Sequence, residues 1–158
     1  MIFLLMTFVA LAQELPDISG TWLLDRRENL KNYLISRGEE NPVKHSAIKC
    51  IKPQMEIKQN NINFSIETTL KPCIPLAPNK TISRDFIADG KTQNKGKILD
   101  GEEVTWTAWF KNNELVVKVN TTLGTEYVTR HLDNDELVQK NWLEDKNVVL
   151  IQHFKRVK

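Results

Sequence analysis

The chain has 158 residues, of which 41% are hydrophobic, and its formal net charge at pH 7 is +2. This length fits a single domain, and a charge so close to zero does not favour a nucleic acid or another polyanion as the partner. Basic residues are not interleaved with aromatic residues in the way that a surface tracking a nucleic-acid strand requires. We therefore expect a globular protein that does not bind nucleic acid.

The first twelve residues, MIFLLMTFVALA, form an apolar run that ends in a small-residue pattern. A run of this length is too short to cross a bilayer as a mature helix, and it is typical of a secretory signal peptide although it carries no Lys or Arg. An apolar tail that packs elsewhere in the fold is the alternative. We expect a signal peptide over residues 1–12, a mature domain over residues 13–158, and a secreted, extracellular protein.

The mature part opens with a strand and a helix. Residues 20–24 are β-prone, and Asp25 with Glu28 three residues later resembles a capping box, which predicts a helix over residues 26–37 that ends at Gly38. One face of this helix carries Leu30, Tyr33 and Leu34.

A second helix is predicted over residues 42–51, because Asn41 can cap it and Pro42 suits its first position. Its apolar face would consist of Val43, Ala47 and Ile51. Both helices are too short to be stable alone, so each must pack against the rest of the fold.

The remainder of the chain consists of β-prone segments separated by turn residues about every ten positions. The segments are residues 54–58, 62–70, 82–88, 104–110, 115–121, 125–132, 137–143 and 148–154. Short strands joined by tight turns predict an antiparallel meander. Nine or ten strands in this order predict an all-β, up-and-down barrel with a two-helix lid between its first and second strands. A closed barrel of this size typically encloses one small ligand.

Three segments resemble the intracellular lipid-binding protein family, which comprises the fatty-acid-binding and cellular retinoid-binding proteins. Residues 20–22 (GTW) match its opening, residues 27–38 (RENLKNYLISRG) its first helix, and residues 128–137 (VTRHLDNDEL) a late hairpin. The resemblance covers residues 16–158 and implies a ten-stranded, calycin-like antiparallel barrel that carries a lipid as a monomer, without a cofactor or metal. A signal peptide is unusual in this family, although secreted members are found among nematodes.

The resemblance also implies where a ligand would bind. Acid-binding members hold a carboxylate with two arginines and a tyrosine, and the first arginine maps to Arg130. The other two positions read Gln152 and Phe154, a pair similar to that of the retinol binders. Gln139 and Asn141 map to inward positions, unless a register error of one residue turns both outward. The candidate ligand-binding residues are Tyr33, Arg130, Gln139, Asn141, Gln152 and Phe154.

In the family fold the end of the second helix lies beside the turn that follows the strand over residues 62–70. With secretion into an oxidising compartment, this placement implies a disulfide between Cys50 and Cys73 that ties the lid to the barrel. Two free thiols too far apart to bond are the alternative. Asn79, in the sequon Asn79-Lys80-Thr81 of a proline-flanked loop, is the candidate glycosylation site.

The two helices carry four basic residues that we expect to face outward, namely Lys31, Arg37, Lys44 and Lys49. A basic rim of this kind predicts transient contact with anionic membranes during ligand transfer. A solvated helix face without a partner is the alternative.

The sequence does not favour an enzyme, because it contains no HxxxH, CxxC or GxSxG motif and its three histidines are scattered. The predicted function is a secreted carrier of one fatty acid or similar small hydrophobic ligand. A retinoid carrier, and a secreted interaction or inhibitor protein on the same scaffold, are the alternatives. An inhibitor should fill its interior with Leu, Ile and Phe, whereas Arg and amide side chains map to the interior here.

Overall fold

The computed structural model describes residues 14–98 and 101–158, and the expected signal peptide over residues 1–12 lies outside the described residues. The described residues form ten strands and two helices. In chain order these are β1 Gly20–Glu28, α1 Leu30–Ser36, α2 Pro42–Cys50, β2 Lys52–Asn60, β3 Asn63–Lys71, β4 Lys80–Ile87, β5 Asn94–Lys97, β6 Glu103–Lys111, β7 Glu114–Thr121, β8 Gly124–Asp133, β9 Glu136–Leu143 and β10 Leu150–Arg156. The predicted all-β fold with a helical pair after the first strand is confirmed.

The ten strands make one antiparallel sheet in which strands that are consecutive in the chain pair with each other, except β4 and β5, and β1 also pairs with β10. This closing pair runs from Trp22 opposite Arg156 to Glu28 opposite Ile151. β4 and β5 stand at the two edges of the sheet. The sheet therefore curls into a nearly closed up-and-down barrel with a gap between β4 and β5.

The hydrophobic core fills the end of the barrel away from the helices, where β1 begins and β10 ends. Trp22 is 0% exposed, and its indole N–H donates to the carbonyl oxygen of Ile18 at 3.1 Å. The guanidinium of Arg156 covers the outer face of the indole, 4.2 Å from the ring centroid. Phe154 and Leu137 are buried beside it. One end of the barrel is thus solid, which leaves the other end for a ligand.

The first helix begins later than the sequence predicted. Residues 26–28 continue β1, and α1 starts at Leu30 after Asn29, which has a left-handed backbone with φ 66°. Asp25 and Glu28 therefore do not form a capping box. Pairing with β10 keeps these residues extended, because a ladder of tertiary hydrogen bonds outweighs a local helix-start pattern.

The two helices sit differently on the barrel. α1 buries Tyr33 and Leu34, two members of its predicted apolar face. α2 is capped by Asn41 as predicted, but it buries no residue completely, and Val43 is 77% exposed. The predicted apolar face of α2 is therefore wrong, and Ile48 is the residue that α2 turns towards the barrel interior.

Polar and covalent contacts hold α2 in place instead of an apolar face. The Arg27 guanidinium donates to the carbonyl oxygens of Ile48 and Lys49, each at 3.2 Å, and so satisfies groups left open at the helix end. Cys50, the last residue of α2, is joined by a disulfide to Cys73 in the loop between β3 and β4, and the two Cα atoms are 5.8 Å apart. The lid is thus tied to the barrel at its C-terminal end.

Candidate functional site

A cavity of about 700 Å³ lies between the barrel wall and the two helices. Much of its wall is apolar, with Met55, Ile66, Phe86, Val117 and Val128 among the lining residues. A cavity of this volume falls in the range of small-molecule binding sites, about 300–1,000 Å³. The barrel can therefore enclose one small hydrophobic molecule.

The structure places all six candidate ligand-binding residues on the wall of this cavity. They are Tyr33 from α1, Arg130 from β8, Gln139 and Asn141 from β9, and Gln152 and Phe154 from β10. Gln139 lies opposite Arg130 in one strand pair and opposite Gln152 in the next, so the three side chains share the inner face. The alternative register, in which Gln139 and Asn141 would point outward, does not occur.

Four of these side chains form a hydrogen-bonded chain across the cavity wall. The Arg130 Nε donates to Gln139 Oε1 at 2.8 Å, which leaves the Gln139 amide to donate to Asn141 at 2.9 Å and to Gln152 at 3.2 Å. The Asn141 amide in turn lies 3.5 Å from the Glu126 carboxylate. Polar groups inside a barrel are stable only when they are bonded, and this chain fixes the orientation of Arg130.

Glu126 is a site residue that the sequence analysis missed. It is buried on β8, and its carboxylate accepts hydrogen bonds from the Tyr33 hydroxyl and the Arg37 guanidinium, both contributed by the first helix and its C-cap. The expectation that Arg37 faces outward is therefore wrong. Burial, and then the charge of Glu126, raise the pKa of Tyr33, so the hydroxyl stays protonated and donates. This contact closes the first helix onto the barrel.

Arg84 is the second residue that was missed. It lies on β4, lines the same cavity, and its guanidinium carbon is 5.6 Å from the centroid of the Trp106 ring on β6. Burial lowers the pKa of Arg84, and the charge of Glu126 opposes this shift. Burial, together with the positive charge of Arg84, lowers the pKa of Arg130 to about 10, so Arg130 is a cation at neutral pH. The positive charges of the Arg84 and Arg130 guanidinium groups therefore repel each other inside the barrel.

One further predicted site residue lies on the surface. Asn79 is exposed in the loop that precedes β4, where its side chain is accessible. Within residues 14–98 and 101–158, no three His, Cys, Asp or Glu side chains lie close enough together to hold a metal ion. Over the same ranges, no helix has the length and apolar character needed to cross a membrane.

A nearly closed barrel with a helical lid and a partly polar internal cavity defines a class of small-ligand-binding proteins. Mouse retinoid-binding protein 7 is 31% identical to this chain over 99 residues, which are 63% of this chain and 68% of that protein. This chain therefore belongs to the intracellular lipid-binding protein family, whose members are binding proteins rather than enzymes. No protein-family model matches the chain.

Solved structures show the same fold. The REP1-NXSQ fatty acid transporter superposes with a TM-score of 0.72 and 21% identity, over 89% of this chain and 96% of that one. Human cRBP IV superposes with a TM-score of 0.70 and 21% identity, over 90% of this chain and 99% of that one.

Proposed function

We propose that this protein is a secreted carrier that holds one fatty acid, or a similar single-chain lipid, inside its barrel. The observation that carries the proposal is the cavity of about 700 Å³, whose largely apolar wall also presents the Arg130 guanidinium. Burial contributes about 0.8 kcal/mol for each methylene group. A hydrogen bond to a charged group adds about 1.5–3 kcal/mol, so one arginine can distinguish an acid from a neutral lipid.

A retinoid carrier is the second candidate. Mouse retinoid-binding protein 7 takes its name from such a ligand, and Gln152 beside Phe154 on β10 offers an amide where a neutral alcohol could bond. A fatty acid is favoured because Arg130 is a cation that a neutral alcohol would leave uncompensated. The inhibitor alternative is not supported, because the open cavity is the reverse of the filled apolar interior that it requires.

Secretion is part of the proposal and rests on two features. Residues 1–12 have the composition of a signal peptide. The Cys50–Cys73 disulfide also fits an oxidising compartment, since the reducing cytosol does not keep such bonds. Exposure of Asn79 is compatible with glycosylation during secretion.

We also propose that the lid makes transient contact with anionic membranes. Lys31 and Lys49 are exposed on the two helices, and the nearby side chains of Val43, Ile74 and Leu76 are 77%, 71% and 103% exposed. Cations beside exposed apolar groups suit an anionic bilayer surface. Transfer of a fluorescent fatty acid to vesicles should speed up with anionic lipid and slow down with salt, and a rate insensitive to both would contradict the contact.

The ligand assignment is tested by titrating delipidated protein with oleate and with oleyl alcohol. Wild type is expected to bind one oleate per chain. Arg130→Ala should weaken oleate at least tenfold and change oleyl alcohol little, because only the carboxylate loses a charged partner. An equal loss for both ligands would mean that Arg130 is not the headgroup anchor, and binding of neither ligand by wild type would contradict the carrier itself.

A further inference from the structure

Arg84 is a half-buried cation of the cavity wall that forms no ion pair with a described residue, although the charge of Glu126 acts favourably on it. Its Nε is buried without a hydrogen-bond acceptor among the described residues. Its guanidinium lies over the face of the Trp106 ring. An aromatic face attracts a cation only weakly compared with a carboxylate. A half-buried cation whose Nε is buried and unbonded is unfavourable unless something else compensates it.

The carboxylates of the cavity are hydrogen-bonded to other side chains, although the charge of Glu126 also acts on Arg84. Glu126 accepts from Arg37 and Tyr33, and Glu39 pairs with Lys44 at the rim at 2.9 Å. Arg130 donates to a neutral amide and forms no ion pair with a described residue. Arg84 and Arg130 are therefore left as two guanidinium groups that line one cavity and repel each other.

We propose that Arg84 and Arg130 together bind the anionic headgroup of the ligand, so that the barrel selects long-chain carboxylates over neutral alcohols. The proposal rests on the carrier function and adds to it a second headgroup residue, contributed by β4 rather than by β10, where Gln152 stands. Guanidinium groups donate several hydrogen bonds in a fixed plane that matches a carboxylate. A carboxylate bound by both side chains would also offset the repulsion between the two guanidinium groups.

This role predicts opposite effects on ligand affinity and on the stability of the empty protein. Arg84→Gln should weaken oleate at least tenfold and leave oleyl alcohol within about twofold of wild type. The same variant, without ligand, should melt at the same temperature as wild type or higher, because it removes a half-buried cation that repels Arg130. If Arg84 instead serves mainly to pack on Trp106, the ligand-free variant should melt at a lower temperature.

The experiment uses delipidated wild type, Arg84→Gln, the charge-conserving Arg84→Lys, and Arg26→Gln as a matched control. Arg26 pairs with Glu136 outside the cavity, so its loss changes the charge equally without touching the ligand. Displacement of Nile red, a neutral dye, gives the affinities for oleate and oleyl alcohol, and circular dichroism gives the melting temperatures. The expected result is a selective loss of oleate in Arg84→Gln, partial retention in Arg84→Lys and wild-type affinity in Arg26→Gln.

Each of the other outcomes would overturn a named part of the proposal. An equal loss of both ligands, no loss, or a ligand-free Arg84→Gln that fails to fold would overturn the headgroup role of Arg84. Tight binding of oleyl alcohol with no preference for oleate in wild type would overturn the carboxylate selectivity but leave the carrier function standing. Binding of neither ligand by wild type would overturn both.

Discussion

Replacement of Trp22 by alanine is expected to lower the free energy of unfolding by about 3–5 kcal/mol, the usual cost of removing a large buried aromatic side chain. Trp22 is 0% exposed, joins β1 to the solid end of the barrel, and donates from its indole to Ile18. The substitution would also leave Arg156 without the ring that it covers. Urea denaturation followed by circular dichroism measures the loss.

Trp142→Ala is the matched control for this change. Trp142 lies on the outer face of β9, half-buried, and stacks on Tyr127 with ring centroids 5.4 Å apart. Loss of such an aromatic pair typically costs about 0.5–1.5 kcal/mol in addition to the free energy lost with the buried apolar area. Similar losses for Trp22→Ala and Trp142→Ala would contradict the assignment of the core to the closed end of the barrel.

Removal of the Cys50–Cys73 disulfide should have the second-largest effect. Cys50→Ser combined with Cys73→Ser opens a loop with a sequence separation of 23 residues, which corresponds to about 3 kcal/mol in the chain-entropy account. The bond ties α2 to the loop after β3, and α2 has no completely buried residue of its own. We therefore also expect faster ligand exchange, with little change in which lipid binds.

Stopped-flow release of a fluorescent fatty acid measures the exchange rate, and urea denaturation measures the stability. Wild type treated with reducing agent should behave like the double serine variant, whereas reducing agent should leave the variant unchanged. Two reactive thiols per chain in the unreduced, denatured wild type would show that the bond is absent from the purified protein. Unchanged release rates in the variant would show that α2 does not control exchange.

Most of the fold was predictable because its strands follow the two-residue period and its turns carry Asn, Asp and Gly. Among the strands the exception is β5, Asn94–Lys97, which no pattern in the sequence predicted. Its residues are polar and include Gly96, so no local pattern marks a strand. The strand exists because it pairs with β6, where a Cβ on Gly96 would come within 2.9 Å of the Trp106 ring. The residues of a short segment do not indicate tertiary pairing of this kind.

The candidate site was predictable only in part, because the contacts between its residues depend on the fold. Arg130, Gln139 and Gln152 were found through family resemblance. Glu126 and Arg84 were missed because a charged side chain on a strand is ordinarily expected on the solvent face. Strand parity was the available signal, since Glu126 precedes Arg130 by four residues on β8 and Arg84 precedes the buried Phe86 by two on β4. Parity alone does not say which partner compensates each charge, and that required the fold.

Native mass spectrometry of the protein recovered from the medium of cells that express the full chain tests the central claim most directly. We expect a chain that lacks residues 1–12 and carries one noncovalent adduct of lipid mass, which organic extraction releases as a long-chain carboxylic acid. Recovery of the ligand-free mass alone, both from the medium and after incubation of delipidated protein with excess oleate, would contradict the claim that the barrel is a lipid carrier.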